Sequence, residues 1–242
     1  MNKTILATLL LLACACQADG GASTSIRVED ATGEQEDEIR LQEWRVERAV
    51  QEVLVRYGLE GLNVSIVIEE EGGLGETKPN VDAILDVTGV TVSINERLFL
   101  DEPPAGDDVL LGLFAHELAH ALHYSKMSRL ELVEFGERYL RFFENPEGHL
   151  KPWAAAYERF TDLTAIAYGF GVPLTAQKVA SKDNVARHHP HKVWDFYLEP
   201  VDIRALSKDP VALKKRIDQA LDVVNIGSLR EFAETLPIAE AN

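Results

Sequence analysis

Two histidines four residues apart flank a glutamate in His116-Glu117-Leu118-Ala119-His120, and this spacing can do metal chemistry. On an α-helix, residues four apart lie about 40° apart around the axis and roughly 6 Å along it, so both imidazoles can reach one ion. An HExxH helix of this kind holds zinc through its histidines and keeps the glutamate beside the metal as general base. Zinc lowers the pKa of a bound water from nearly 16 to about 7, so the chemistry to expect is hydrolysis at neutral pH. The surroundings are apolar: Val109-Leu110-Leu111-Gly112-Leu113-Phe114-Ala115 leads into the motif, and Leu118, Ala119, Ala121 and Leu122 run through and beyond it. Three ionisable side chains on such a helix cost desolvation unless a ligand or a hydrogen-bond network satisfies them. The blander reading is a packed histidine pair.

A catalytic zinc takes three protein ligands and leaves a fourth position to water, so one more ligand is needed. Glu158, in Tyr157-Glu158-Arg159-Phe160-Thr161-Asp162, is the first candidate. It shares a helical face with Asp162, which can accept the free ring N–H of a ligand histidine and so orient it. Ala154, Ala155, Phe160, Leu163, Ile166 and Ala167 leave that helix little polar surface, which weighs against a solvated acidic stripe. Asp202 ranks below it: aspartate is shorter, and Pro200 makes Asp202 a residue that caps or begins a short helix. His123 shares the face of His116 and His120 but lies nearly 10 Å from His116 by helical rise, so it is expected to pack or hydrogen-bond nearby.

With HExxH at 116–120 and Glu-x-x-x-Asp at 158–162, the chain resembles the gluzincin metallopeptidases. The resemblance covers about residues 80–171. It implies a zincin-like fold, in which a small N-terminal sheet with a substrate-aligning edge strand precedes the active-site helix and a helical C-terminal part. Val90-Thr91-Val92-Ser93-Ile94-Asn95 looks like that strand. The metzincin pattern HExxHxxGxxH is not met, because His123 stands at the glycine position and Lys126 at the last histidine.

The 242 residues, 46% hydrophobic and 26% charged, suffice for one sizeable core and a single catalytic domain. Asp and Glu number 40 against 24 Lys and Arg, a net charge of −16, so the surface field repels nucleic acid and polyanions are poor substrates. Met1-Asn2-Lys3-Thr4, an apolar run over 5–13 too short to span a bilayer, and small residues after it read as an export signal. Leu11-Leu12-Ala13-Cys14 resembles the bacterial lipoprotein signal, which implies lipidation of Cys14, with Cys16 as the alternative. Neither cysteine is followed by aspartate, so attachment at the outer membrane is favoured; simple secretion is the other possibility. Both cysteines lie in this segment, which excludes disulfides and cysteine ligands from the domain. The expected organisation is a signal over 1–16, an acidic flexible tether over 17–38 and one catalytic domain over 39–242.

Within that domain, hydrophobic spacing predicts an amphipathic helix over 39–57 stopped by Gly58, a half-buried strand over 62–68, and a hairpin of 83–87 with 90–94 around Thr88-Gly89. Helices follow at 107–124, 129–143, 153–168 and 211–224, with a weaker one at 228–234. Strands first and helices after them indicate an α+β fold. Arg187-His188-His189-Pro190-His191-Lys192 reads as a loop. His191, His189 and Tyr197 are candidates for the donor that stabilises an oxyanion, the alternative being a surface histidine cluster. Together these residues lead to the expectation of a zinc peptidase acting on peptides or proteins in a bacterial envelope. The competing readings are a non-catalytic zinc-binding lipoprotein, which has no need of Glu117, and a metal-free globular lipoprotein. Oligomeric state is not legible.

Overall fold

The structure is a computed structural model that describes residues 23–29, 33–70, 75–146, 148–188 and 196–222, apart from the side chains of 184–188 and 222. The expected α+β class holds, as a small mixed sheet followed by a mostly helical remainder. Where one domain is expected, the chain divides into two compact units, Met1–Pro104 and Ala105–Asn242.

In the first unit, β1 (Thr24–Val28), β2 (Asn63–Glu69), β3 (Gly75–Val81) and β4 (Val87–Asn95) form one sheet in the order β1-β2-β4-β3. β1 runs parallel to β2 with Ile26 opposite Ile66, β2 parallel to β4 with Ile66 opposite Val92, and β3 antiparallel to β4. A parallel pair needs a long crossover, and α1 (Gly33–Arg40) with α2 (Glu43–Tyr57) supplies it between β1 and β2. The predicted stripe of α2, Val46, Val50, Val53, Leu54 and Tyr57, is buried, and Gly58 ends the helix with φ +69°. A short α3 (Arg97–Leu100) follows β4.

Within the stretch 17–38, read as a tether from its polar composition, residues 24–28 form β1 and residues 33–38 belong to α1; pairing of β1 along the parallel strand β2 orders residues that have little apolar surface of their own. The hairpin turn lies at 82–86, where Asp82 Oδ1 accepts from the backbone N–H groups of Ile84 and Asp86 at 2.9 and 3.0 Å. Gly89 instead sits within β4, where a Cβ would come within 2.6 Å of the Asn63 carbonyl oxygen, so this glycine serves a close strand approach and not a turn. Finally, Val90–Ile94 is no edge: β4 is paired on both sides, by β2 and by β3. β3, Gly-Glu-Thr-Lys-Pro-Asn-Val, was hidden by its turn-like composition, and as an edge strand it tolerates Pro79.

The second unit is helical. α4 (Asp107–Lys126) is buried from His116 to Tyr124 on every side, so its polar residues face protein and not water. α5 (Arg129–Glu144) begins with a capping box, Ser128 accepting from Glu131 N–H and Glu131 from Ser128 N–H at 3.4 and 2.8 Å. α6 (Lys151–Ala167), α7 (Gly171–His188), α8 (Pro200–Leu206) and α9 (Pro210–Asp222) complete the unit. α7 was not anticipated: Pro173 reads as a breaker but lies in its first turn, where the missing N–H is harmless. The helix carries on to His188, which shortens the expected loop. Gly112 lets α4 and α7 approach, since a Cβ there would lie 2.2 Å from the Pro173 carbonyl oxygen. The weak helix expected at 228–234 falls outside the described residues.

Candidate metal centre

α4 supplies His116 and His120 on one face, and α6 lays Glu158 against them. One ligand atom from each of the three lies within 4.8 Å of the others. Glu158 Oε2 is 3.1 Å from His116 Nε2 and 3.7 Å from His120 Nε2. Tetrahedral coordination with bonds of about 2.0 to 2.1 Å places ligand atoms about 3.3 Å apart, so these separations fit a shared ion. Glu117, one residue on from His116, is 5% exposed.

The far side of each candidate ligand is already engaged. His116 Nδ1 lies 2.8 Å from Asp162 Oδ1, and Asp162 Oδ2 accepts from the Leu198 backbone N–H at 2.9 Å. Tyr139 donates its hydroxyl to Glu158 Oε1 at 2.5 Å. His120 Nδ1 is 3.0 Å from the Tyr157 hydroxyl, which is 3.4 Å from His123 Nδ1, and His123 Nε2 is 3.0 Å from Thr164 Oγ1. One tautomer set satisfies this chain: His120 Nδ1–H donates to Tyr157, Tyr157 to His123 Nδ1, His123 Nε2–H to Thr164, and Thr164 to the Phe160 carbonyl. It leaves both Nε2 atoms and Glu158 Oε2 turned to one point. The donor set could therefore hold a divalent metal ion of the kind that takes imidazole and carboxylate ligands.

Without a metal, charge crowds this point. Burial and Lys178 lower the His116 pKa, but Asp162 and Glu158 outweigh them and bring it up to about 9. Burial chiefly takes His120 down to about 4. Burial raises Glu158, yet His120, His116 and Tyr139 more than reverse it, to about 2. At about pH 6 the metal-free centre is thus expected to hold one displaceable proton, on His116. Zinc uptake should release about one proton per ion, and affinity should fall as pH drops below the His116 pKa. Calorimetric titration in buffers of different ionisation enthalpy reads this number; uptake with no release would contradict the assignment.

His123 is fully buried and satisfied, a packed histidine as expected and not a ligand. Asp202 sits in α8 after Glu199 as N-cap and is not in the cluster, which Glu158 forms with His116 and His120. Tyr197 is near the centre, its ring 5.7 Å from that of His116. Burial, with Glu158, Glu117 and Asp162, raises its pKa well above the usual value, so it remains a hydroxyl donor. His189 and His191 lie outside the described residues. Spacing did not reveal Tyr139, Tyr157, Thr164 or Lys178; Tyr157, adjoining Glu158 on an apolar helix, was the one with a usable signal.

Asp162→Asn is expected to weaken zinc affinity by about 10-fold to 100-fold, less than ligand loss, because it disturbs only the orientation and basicity of His116. Competition against a zinc chelator measures this. Unchanged affinity would show that Asp162 does not support the ligand.

Compared with known proteins, the chain matches no family model, no curated protein and no solved structure.

Proposed function

We propose that this protein is a zinc-dependent peptidase of the gluzincin kind, exported and lipid-anchored at the outer membrane of a bacterial envelope. The observation that carries the reading is the convergence of His116 Nε2, His120 Nε2 and Glu158 Oε2, with a buried Glu117 following His116 on the same helix and not needed as a ligand. Bound zinc would polarise the scissile carbonyl and acidify the attacking water. Glu117 takes a proton from that water as its oxygen adds to the carbonyl carbon, then passes the proton to the amine nitrogen as the C–N bond breaks. Tyr197 donates its hydroxyl to the oxyanion of the tetrahedral intermediate. Asp162 keeps His116 in the tautomer with Nε2 free. Strand addition along Val90–Ile94 has no part in this scheme, because both sides of β4 are taken.

Digestion of a peptide library by the zinc-loaded chain tests the reading. Cleavage that a chelator stops and zinc restores is expected; no cleavage at any sequence would overturn peptidase function and leave a zinc-binding lipoprotein.

The anchor rests on Cys14, with Cys16 as alternative, and both lie outside the described residues. No described helix is long and apolar enough to cross a membrane. Mass spectrometry of the mature N-terminus is expected to find an acylated Cys14, and Cys14→Ala should leave an unprocessed or mislocalised precursor. Several acyl chains would make release from the bilayer slow, whereas one holds only marginally. An unmodified terminus downstream of Cys16 would instead mean secretion.

A further inference from the structure

Lys178 is the one lysine or arginine buried among the described residues, at 1% exposure. Its Nζ lies 2.8 Å from Asp162 Oδ1, 3.5 Å from His116 Nδ1 and 4.0 Å from the centre of the Tyr197 ring. A buried ammonium this close to a ligand histidine opposes cation binding, so it needs a reason beyond filling space. Glu158, Asp162 and Glu117 are buried on the two helices that form the centre. Once metal uptake has displaced the His116 proton, and with Glu117 ionised as a general base must be, three carboxylates stand against one ammonium. The balance is two negative charges, which one divalent ion neutralises.

We infer that Lys178 is a positioning residue that sets the charge and ligand strength of the metal centre. It takes up one carboxylate charge, so a zinc-loaded centre would be neutral and would not repel the oxyanion of the proposed hydrolysis. It also shares Asp162 Oδ1 with His116, which limits how strongly Asp162 can increase the basicity of His116 as a ligand. A lysine serving only as a strut between α6 and α7 would have the opposite effect on zinc when removed.

The inference rests on the proposed zinc site, and the test separates the two. In the full-length chain, Lys178→Met is expected to tighten zinc binding on the order of tenfold or more, since a positive charge near a divalent cation is removed. The metal-free variant should melt lower than the parent chain, and zinc should raise its melting temperature by more. Lys178→Arg should return affinity toward the parent value. Asp162→Asn in the Lys178→Met background should do the same, because both charges of the pair are then gone. If metal-free Lys178→Met does not fold, refolding against buffered zinc reads the same affinity. Weaker zinc binding in Lys178→Met would overturn the role of Lys178 alone; no zinc uptake by the parent chain would overturn the metal site itself.

Discussion

Replacing either His116 or His120 by Ala is expected to bring zinc content from about one ion per chain down to background, because the two remaining ligands would not make a catalytic site. The fold should survive either change. Truncating His116 leaves Asp162 paired with Lys178 and the Leu198 N–H, and truncating His120 leaves Tyr157 beside His123. Circular dichroism separates loss of metal from loss of structure, and elemental analysis of the purified variants gives the stoichiometry. His123→Ala is the contrast: it removes a side chain bonded to Tyr157 and Thr164, so stability falls while zinc remains. Tight zinc retention by both His116→Ala and His120→Ala would remove the site assignment.

Glu117→Gln should separate binding from catalysis. The amide keeps the size and reach of the side chain but cannot take a proton, so zinc stays at the parent level. Hydrolysis should drop by about 10²-fold to 10⁴-fold from loss of the base alone. Peptide turnover at matched zinc loading makes the comparison. An unchanged rate would exclude Glu117 as base and with it the proposed route of the proton.

The His116, His120 and Glu158 cluster was legible because its spacing is local. His116, Glu117 and His120 are fixed relative to one another by a single helix, and Glu158 with Asp162 by another, so helical geometry carried the reading. What joins those helices was less visible. Lys178 sits on α7, whose start at Gly171 and Pro173 has the composition of a break. Its burial depends on pairing with Asp162 across the fold, and sequence spacing holds no trace of that. The sheet shows the same limit from another side. β2 and β4 declared themselves by alternating apolar residues, whereas β1 and β3 are ordered by neighbours. Their own residues, Thr-Ser-Ile-Arg-Val and Gly-Glu-Thr-Lys-Pro-Asn-Val, argue weakly for strands. The expected position of Val90–Ile94 at an edge failed for that reason, since it depended on not seeing β3.

Anomalous diffraction at the zinc edge from crystals of the zinc-loaded chain tests the proposed metal centre most directly. The expected result is one peak bonded at about 2.0 to 2.2 Å to His116 Nε2, His120 Nε2 and a Glu158 carboxylate oxygen, with no Glu117 bond. A peak elsewhere, or one in which Asp202, Glu117 or another side chain takes the place of Glu158, would contradict it.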